Sequence, residues 1–352
     1  MAEQLPPDVI ARLRALDSAI TPELGQASWA LLTPFHDKLG YTAPRIVRDL
    51  RYGEHERHRL DVHTAGDPGA GRPVPVFVFV HGGGFVAGDK AHPGVPAYDL
   101  VGAWAVRHGW VGVNITYRYA PEVKWPAGAQ DVAAAVAWIG DNIAAYGGDQ
   151  DRVIVMGNSA GAVHVADFAA GHGGDLGVVR GAALVSGTYG MRTIAPGDGP
   201  HPYYGVPDPA HASLPCLVES RVPLLFAVAE RDPARFHAAV VEAAVAWRAR
   251  HGTMPNVAWV DGHNHMSAVG SLGVDEAALG VPLARFVERN TAPALRRSRA
   301  PGPGPSPHDR CASRPARHAG PCPPASPSHP AVPLAVGLPP AAQRMDVPLV
   351  SL

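Results

Sequence analysis

The stretch RVIVMGNSAGAVHVADFAAG, residues 152–171, decides how the rest of the sequence is interpreted. It begins with a short apolar run that is typical of a buried strand and continues from Ala160 with a pattern typical of a helix. Between the two lies Gly-x-Ser-x-Gly, in which Gly157 and Gly161 flank Ser159. Small neighbours allow the sharp strand-to-helix turn that exposes a serine hydroxyl, so Ser159 is a candidate nucleophile.

Apolar runs and helical patterns alternate along most of the chain. The runs that predict buried strands are 74–80, 110–116, 152–156, 181–187, 222–229 and 256–260. The helical patterns are Tyr98–His108, Ala127–Tyr146, Ala160–Gly171 and Ala234–His251. This alternation predicts a mostly parallel central sheet with helices on both faces. Before it, RIVRDLRYGEHERHRLDVHT alternates apolar and polar residues, which predicts antiparallel strands at a sheet edge.

Composition divides the chain into three parts. Residues 1–45 are interpreted as a helical cap segment, and residues 46–290 as a catalytic domain of alternating strands and helices. Within that domain, residues 188–221 are rich in Pro and Gly and are interpreted as a cap-like insertion, because long loops in compact domains are usually functional. Residues 291–352 are rich in Pro, Ala and Arg and lack Lys, Glu and aromatic residues, which predicts a disordered tail.

The first forty or so residues carry two helical patterns, around Val9–Ile20 and around Leu24–Leu39. Pro34 lies inside the second pattern and is expected to interrupt it, because proline lacks the N–H that a helix interior needs. We expect these helices and the insertion 188–221 to cover the mouth of the site as a small helical and loop cap.

A second glycine-rich turn follows the predicted strand 74–80. Here the run VPVFVFV is followed by His81 and three glycines. In an open parallel sheet, ligands bind beyond the carboxyl ends of the strands. Residues without side chains let backbone N–H groups converge there on a developing oxyanion, with the Ala160 N–H as a further donor. A simple glycine turn explains the run alone equally well, but the Gly-x-Ser-x-Gly motif at Ser159 favours the oxyanion hole.

A serine nucleophile needs a base, and the base needs an orienting acid. Glu230 and Asp232 follow one predicted strand, and His263 and His265 follow the next. All four therefore lie beyond strand ends, on the same sheet edge as Ser159. The order serine, acid, histidine is the one expected for a serine hydrolase built on such a sheet.

Composition excludes several other functions. The net charge of −1 gives no reason to expect nucleic acid or an anionic membrane as a partner. The N-terminus is not a signal peptide, no apolar stretch approaches a membrane span, and three cysteines are too few for a disulfide framework. We therefore expect a cytoplasmic monomer or homodimer that acts on a small molecule. His263-x-His265 lacks an evident third ligand, so a metal is not expected there. A serine nucleophile with its base and acid needs no metal and no organic cofactor, so none is expected.

Two further polar features are interpreted as structural. Asp131 follows Pro126 at the start of a helical pattern, where it is expected to cap the helix or complement its dipole. Arg118 and Glu122 are expected to form an ion pair near the glycine loop.

Several motifs together resemble those of the α/β-hydrolase carboxylesterases. They are HGGGF (81–85), YRYAPE (117–122), WPAGAQDVAAAVAWI (125–139), YGGDQDRV (146–153), GNSAGA (157–162), ERDP (230–233) and GHNHMS (262–267). The sequence is similar to bacterial esterases of the hormone-sensitive-lipase-like group and to the neighbouring feruloyl-esterase-like and kynurenine-formamidase-like branch. Asn158, where the lipase-like group commonly has Asp, and Tyr119, where Leu is common, favour that branch. The resemblance covers roughly residues 45–290.

The resemblance implies an α/β-hydrolase fold and a role for each matching residue. The implied catalytic triad is Ser159, Asp232 and His265, in preference to Glu230 and His263. The implied oxyanion-hole donors are Gly83, Gly84 and Ala160. His81 and Gly82 are expected to support the glycine loop. Candidates for substrate contacts are Phe85, Asn158, Trp125, Tyr203 and Tyr204, although packing explains Trp125 and the two tyrosines equally well.

The expected activity is that of a serine carboxylesterase acting on short-chain acyl or small aryl esters through an acyl-enzyme. One alternative is an aryl formamidase that uses the same triad on an amide. A second alternative is a non-catalytic binding module with the same fold, since fold alone does not fix function. The presence of all three triad residue types in this chain argues against a pure binding module.

Overall fold

The computed structural model describes residues 4–67, 71–190, 201–206, 208 and 211–292. In chain order the strands of this part are β1 (Arg45–Arg51), β2 (Arg59–Thr64), β3 (Val74–Val80), β4 (Val111–Ile115), β5 (Gly148–Asn158), β6 (Val179–Val185), β7 (Leu224–Arg231) and β8 (Asn256–Asn264). They form one sheet in the order β1-β2-β4-β3-β5-β6-β7-β8. β2 pairs antiparallel with β1 and β4, whereas all pairs from β4–β3 to β7–β8 are parallel. The predicted parallel sheet with an antiparallel edge is confirmed.

Helices cover both faces of the sheet. Those of the described residues are α1 (Pro7–Ala15), α2 (Pro22–Leu39), α3 (Asp99–Arg107), α4 (Ala127–Asn142), α5 (Ala160–Ala169), α6 (Leu214–Leu217), α7 (Ala234–His251) and α8 (Val281–Thr291). Successive side chains of a strand point to opposite faces, and in β3 Val76 and Val78 pack in one core while Phe77 and Phe79 pack in the other. Helices α4, α5 and α7 complete the first core, and α3 and α8 complete the second.

The N-terminal helices build a smaller apolar cluster of their own. Leu13 of α1 packs there with Leu31 and Leu32 of α2. The prediction that Pro34 interrupts the second helix is wrong, because α2 continues through it to Leu39. The missing N–H removes only one intrahelical hydrogen bond, and contacts with the rest of the protein hold the helix on both sides of the proline. On the far side, the ring Nε2–H of His36 donates to the carbonyl of Gly270 at 2.8 Å.

Asp131 does not act on the start of its own helix, contrary to the sequence-based expectation. Its buried carboxylate accepts hydrogen bonds from the Arg118 backbone N–H at 2.8 Å, the Arg118 guanidinium at 2.6 Å and the His58 ring at 3.1 Å. Burial alone would raise the pKa of Asp131, but the hydrogen bonds from His58 and Arg118 hold it below its usual value. The expected partner of Arg118, Glu122, pairs instead with His55 at 3.0 Å.

Two predicted segments lie partly or almost wholly outside the described residues. The predicted tail 291–352 lies outside the described residues, apart from Thr291, which ends α8, and Ala292. Part of the predicted insertion, residues 191–200 in particular, also lies outside them.

None of the described helices is long and apolar enough to cross a membrane. Cys216 is disulfide-bonded. The cytoplasmic location stays a prediction.

Candidate active site

Ser159 occupies the turn between β5 and α5. Its backbone has φ +54° and ψ −120°, a region that residues with a side chain rarely adopt. The Ser159 N–H donates to the Val185 carbonyl of β6 at 2.9 Å, which fixes the turn against the sheet. A Cβ at Gly161 would lie 2.2 Å from the Val80 carbonyl oxygen, so only glycine lets α5 approach the end of β3 this closely.

A chain of hydrogen bonds joins Ser159 to the ends of β7 and β8. The Oγ of Ser159 lies 2.9 Å from Nε2 of His265, and Nδ1 of His265 lies 2.6 Å from Oδ1 of Asp232. Because a carboxylate only accepts, Nδ1 carries the proton and Nε2 is left to accept from the serine hydroxyl. Asp232 and His265 are both buried, and the imidazole packs on the ring of Phe236 with centroids 4.5 Å apart.

The second oxygen of Asp232 is also occupied. Oδ2 accepts from the hydroxyl of Ser186 at 2.6 Å and from the backbone N–H of Ala229 at 2.7 Å. Sequence reasoning missed Ser186, although a signal existed. The residue directly follows β6, the strand that lies between β5 and β7 in the sheet, so its hydroxyl falls between Ser159 and Asp232.

The two residues that competed for the acid and base positions lie elsewhere. Glu230 accepts a hydrogen bond from Arg14 of α1 at 2.9 Å. His263 is buried, with Nε2 3.2 Å from the Asp275 carboxylate. Neither belongs to the hydrogen-bonded chain that begins at Ser159.

The glycine loop after β3 faces the same cavity as Ser159. Gly83 has φ +139°, and a Cβ there would lie 1.8 Å from the Ala87 carbonyl oxygen, so the loop requires glycine. Gly84 has φ +60° but faces open space. Among the described residues, no acceptor binds the backbone N–H of Gly83, Gly84 or Ala160. All three residues line the cavity together with Ser159.

His81 and Gly82 hold this loop against the sheet. The buried His81 ring donates from Nδ1 to the Gly82 carbonyl at 2.6 Å and stacks on Tyr117 with centroids 4.4 Å apart. The Tyr117 hydroxyl donates in turn to the His81 carbonyl at 2.9 Å. Burial lowers the pKa of His81 to about 4, so the ring is neutral near pH 7. A Cβ at Gly82 would lie 3.1 Å from the Cβ of Ser159, which shows how close the two turns are.

The cavity above Ser159 has a volume of about 420 Å³. Of the five predicted substrate contacts, Phe85, Asn158 and Tyr204 line it. Ile20, from the loop between α1 and α2, and Thr188, from the predicted insertion, also line it. The described parts of both predicted cap segments therefore reach the cavity.

Trp125 and Tyr203 are not among the described residues that line the cavity. Tyr203 lies behind Phe85, with the two rings stacked at 4.8 Å, and its hydroxyl accepts from the Gly128 N–H at 2.9 Å. Trp125 packs on the ring of His172, with centroids 5.0 Å apart. Prediction of these two residues as substrate contacts is corrected: they pack behind the cavity wall.

One group of possible metal ligands occurs among the described residues, away from Ser159. Asp61, His63 and Asp99 place ligand-type atoms within 4.8 Å of one another. Arg48, however, contacts Asp61 at 2.7 Å and Asp99 at 2.6 Å, and Lys90 lies 3.3 Å from Asp61. These side chains already supply the positive charge that a metal would bring, so the group is a structural ion-pair cluster.

The chain is similar to several known esterases. A family model described as BD-FAE matches residues 60–177. Esterase LipQ of Mycobacterium tuberculosis is 36% identical over 165 residues, which are 47% of this chain and 36% of LipQ. Carboxylesterase NlhH of the same species is 44% identical over 126 residues, which are 34% of this chain and 38% of NlhH. The chain therefore spans less than two fifths of the length of either relative.

A solved esterase structure from Pyrobaculum calidifontis superposes with a TM-score of 0.60 at 22% identity, covering 81% of this chain and 98% of that one. At this identity the likeness shows the fold. The chain has the α/β-hydrolase fold and resembles the carboxylesterases of the hormone-sensitive-lipase-like group.

Proposed function

We propose that the protein is a serine carboxylesterase with Ser159 as nucleophile, His265 as base and Asp232 as orienting acid. The observation that carries the proposal is the hydrogen-bonded chain from Ser159 Oγ to His265 Nε2, at 2.9 Å, and from His265 Nδ1 to Asp232, at 2.6 Å. A serine hydroxyl is a weak nucleophile unless a neighbouring base takes its proton, and this arrangement supplies the base in the required tautomer. The esterase names of the relatives LipQ and NlhH support the same reaction class.

Acylation begins when Ser159 Oγ attacks the ester carbonyl and its proton passes to Nε2 of His265. The Asp232 carboxylate stabilises the imidazolium that forms. The negative charge on the former carbonyl oxygen is held by the N–H groups of Gly83, Gly84 and Ala160. When the carbonyl re-forms, the bond to the alcohol oxygen breaks, and His265 returns its proton to the leaving alcohol.

Deacylation repeats these steps with water. His265 takes a proton from a water molecule whose oxygen attacks the acyl-enzyme carbonyl, and the same amides hold the second oxyanion. Breakage of the bond to Ser159 Oγ, with return of the proton to that oxygen, releases the carboxylic acid. In both half-reactions His265 transfers the proton and the backbone amides hold the charge of the oxyanion.

The cavity supports small substrates. Its volume of about 420 Å³ is within the range of pockets that bind small molecules. Phe85, Val163 and Tyr204 give one wall an apolar and aromatic character, which suits a short acyl chain or an aryl ring. We therefore propose short-chain acyl esters and small aryl esters as the substrate class.

The test is hydrolysis of 4-nitrophenyl esters from acetate to palmitate by the wild type, Ser159→Ala and a matched control, Ser220→Ala. Ser220 lies before β7, at the opposite end of the strand from Asp232. We expect kcat/KM to be highest for the short chains and Ser159→Ala to lose at least about 10⁴-fold. Ser220→Ala should behave as the wild type.

Two results would overturn the proposal: no hydrolysis of any ester by the wild type, or activity that survives Ser159→Ala. An N-formyl aromatic amide is included in the same assay. If it is hydrolysed at least as fast as the acetate ester, the aryl formamidase alternative replaces the esterase.

A further inference from the structure

A single arginine side chain lines the cavity above Ser159 in the described part of the chain. Arg235 is exposed on the first turn of α7, three residues after Asp232. Its guanidinium lies over the ring of Phe236, 4.6 Å from the centroid. The Phe236 ring in turn packs on the imidazole of His265. The aromatic ring therefore links the guanidinium to the base.

No acid offsets this charge inside the cavity. Among the described lining residues there is no Asp or Glu, whereas His92, His201, Arg235 and His265 all line it. Within the same part of the chain, Arg235 has no carboxylate oxygen within 4.0 Å, unlike Arg48 or Arg118. The nearby Asp232 already accepts three hydrogen bonds.

The location makes an unpaired cation costly. The first turn of a helix is the positive end of its dipole, where a carboxylate is favoured and a cation is disfavoured. Stacking on Phe236 offsets part of that cost and also holds the guanidinium in one orientation. A planar, oriented guanidinium is suited to bidentate binding of a carboxylate.

We infer that Arg235 selects ester substrates that carry a carboxylate on the alcohol-derived part. The inference rests on the proposed esterase reaction, in which His265 returns its proton to the leaving alcohol oxygen. The leaving group must therefore lie beside His265, where Phe236 and Arg235 follow in turn along the wall. On this basis the alcohol part lies along Phe236 and its carboxylate reaches the guanidinium.

The experiment compares two acetate esters of equal shape, 4-acetoxybenzoate, which is anionic, and 4-acetoxybenzamide, which is neutral. The measured quantity is the ratio of their kcat/KM values, for the wild type, Arg235→Gln and Arg235→Lys. Dividing the wild-type ratio by the variant ratio cancels the intrinsic reactivities of the two esters. We expect Arg235→Gln to lower the ratio about five- to tenfold, mainly through KM, and Arg235→Lys to keep part of it.

A matched control removes the same charge at the other end of the same helix. Arg248 lies in the last turn of α7, about 20 Å away along the helix axis. Arg248→Gln should leave the ratio unchanged. High salt should lower the wild-type ratio, because the pair is partly exposed and therefore screened.

A second pair of esters tests the assignment to the alcohol side. Phenyl hydrogen succinate carries its carboxylate on the acyl part, and phenyl succinamate is its neutral counterpart. The inference is overturned if Arg235→Gln leaves the first ratio unchanged, or if it lowers the succinate ratio more than the benzoate ratio. Both results require a wild type that hydrolyses the neutral esters; if it hydrolyses none, the esterase proposal itself fails.

Discussion

The hydroxyl of Ser186 lies 2.6 Å from Oδ2 of Asp232, on the carboxylate oxygen that His265 does not contact. Together with the Ala229 N–H, this bond holds the carboxylate plane so that Oδ1 faces the imidazole. Ser186 has φ +53°, an uncommon backbone conformation for serine, which directs the hydroxyl to this position at the end of β6. Ser186 is therefore a positioning residue for the proposed acid.

Ser186→Ala should reduce kcat with little change in KM. The variant loses one of two donors to Oδ2, so Asp232 is held less firmly and His265 is oriented less often for proton transfer. We expect kcat to fall about three- to tenfold, which is less than for the full loss of a hydrogen bond to a charged group, because the second donor to Oδ2 remains. Ser271→Ala removes another buried hydroxyl, one that donates to Ala268 and not to the site, and serves as control. An unchanged kcat would show that the bond has no positioning role.

Asp232→Asn and Glu230→Gln separate the two candidate acids. An amide at position 232 can donate to Nδ1 and so favours the tautomer in which Nε2 cannot accept the serine proton. We expect a loss of about 10⁴-fold in kcat for Asp232→Asn. Glu230→Gln should stay within about threefold of the wild type, because Glu230 contacts Arg14 and the Gly262 N–H instead of the imidazole. A larger loss in the Glu230 variant would transfer the role of acid to that residue.

Gly83→Ala and Gly84→Ala should differ strongly, although the residues are adjacent. A Cβ at Gly83 would meet the Ala87 carbonyl oxygen at 1.8 Å, so the loop must move and its oxyanion donors with it. We expect at least about a 100-fold loss in kcat, as for removal of an oxyanion-hole donor. At Gly84 no atom lies within 4 Å of an added Cβ, so Gly84→Ala should lose only about 1–2 kcal/mol of stability through backbone strain.

Both glycine variants are compared by kcat and by thermal unfolding in the same buffer. Equal losses of kcat in the two would contradict the assigned loop geometry. A normal kcat in Gly83→Ala would remove the Gly83 N–H from the proposed oxyanion hole.

The buried ring of His164 should make stability depend on pH. Burial lowers the pKa of His164 from 6.5 to about 3, and among the described residues neither ring nitrogen has a hydrogen-bond partner. Below pH 6.5 the unfolded chain takes up a proton that the folded chain excludes, so the free energy of unfolding falls as pH falls toward 3. The slope from one such group is about 1.4 kcal/mol per pH unit.

His164→Leu removes this group and should flatten the dependence between pH 6.5 and 4. Urea unfolding of the wild type and the variant is measured at several pH values, with pH 8 as the internal reference for the packing change. His63 and His81 are also buried with a lowered pKa, so some slope persists in the variant. Identical slopes in the two proteins would show that folding does not lower the pKa of His164.

The parallel sheet and the helices between its strands were predicted from sequence because their signal is local. Each central strand is a short apolar run, since both of its faces are buried, and each helix between them shows its own spacing. The candidates for the hydrogen-bonded chain were predicted for the same reason, whereas the choice of Asp232 over Glu230 and of His265 over His263 came from the family resemblance. Ser159, Asp232 and His265 all follow strand ends, which parallel strands bring to one edge.

Where sequence interpretation was wrong or incomplete, the missing information was a partner distant in sequence. Asp131 looks like a first-turn residue until Arg118 and His58 are placed beside it. Tyr203 has the side chain of a substrate contact, but Phe85 lies between it and the cavity. Ser186 becomes informative only when the order of the strands in the sheet is known.

The sheet order also has a consequence for folding. The serine and histidine of the hydrogen-bonded chain are 106 residues apart, and the histidine and aspartate are 33 apart. Parallel pairing between distant segments requires closure of long loops before its contacts form, so it occurs late in folding. Helices α5 and α7 can form early, but the Ser159–His265 contact needs β5, β6, β7 and β8 side by side. Recovery of activity during refolding would therefore report completion of the C-terminal half of the sheet, after the helical signal has returned.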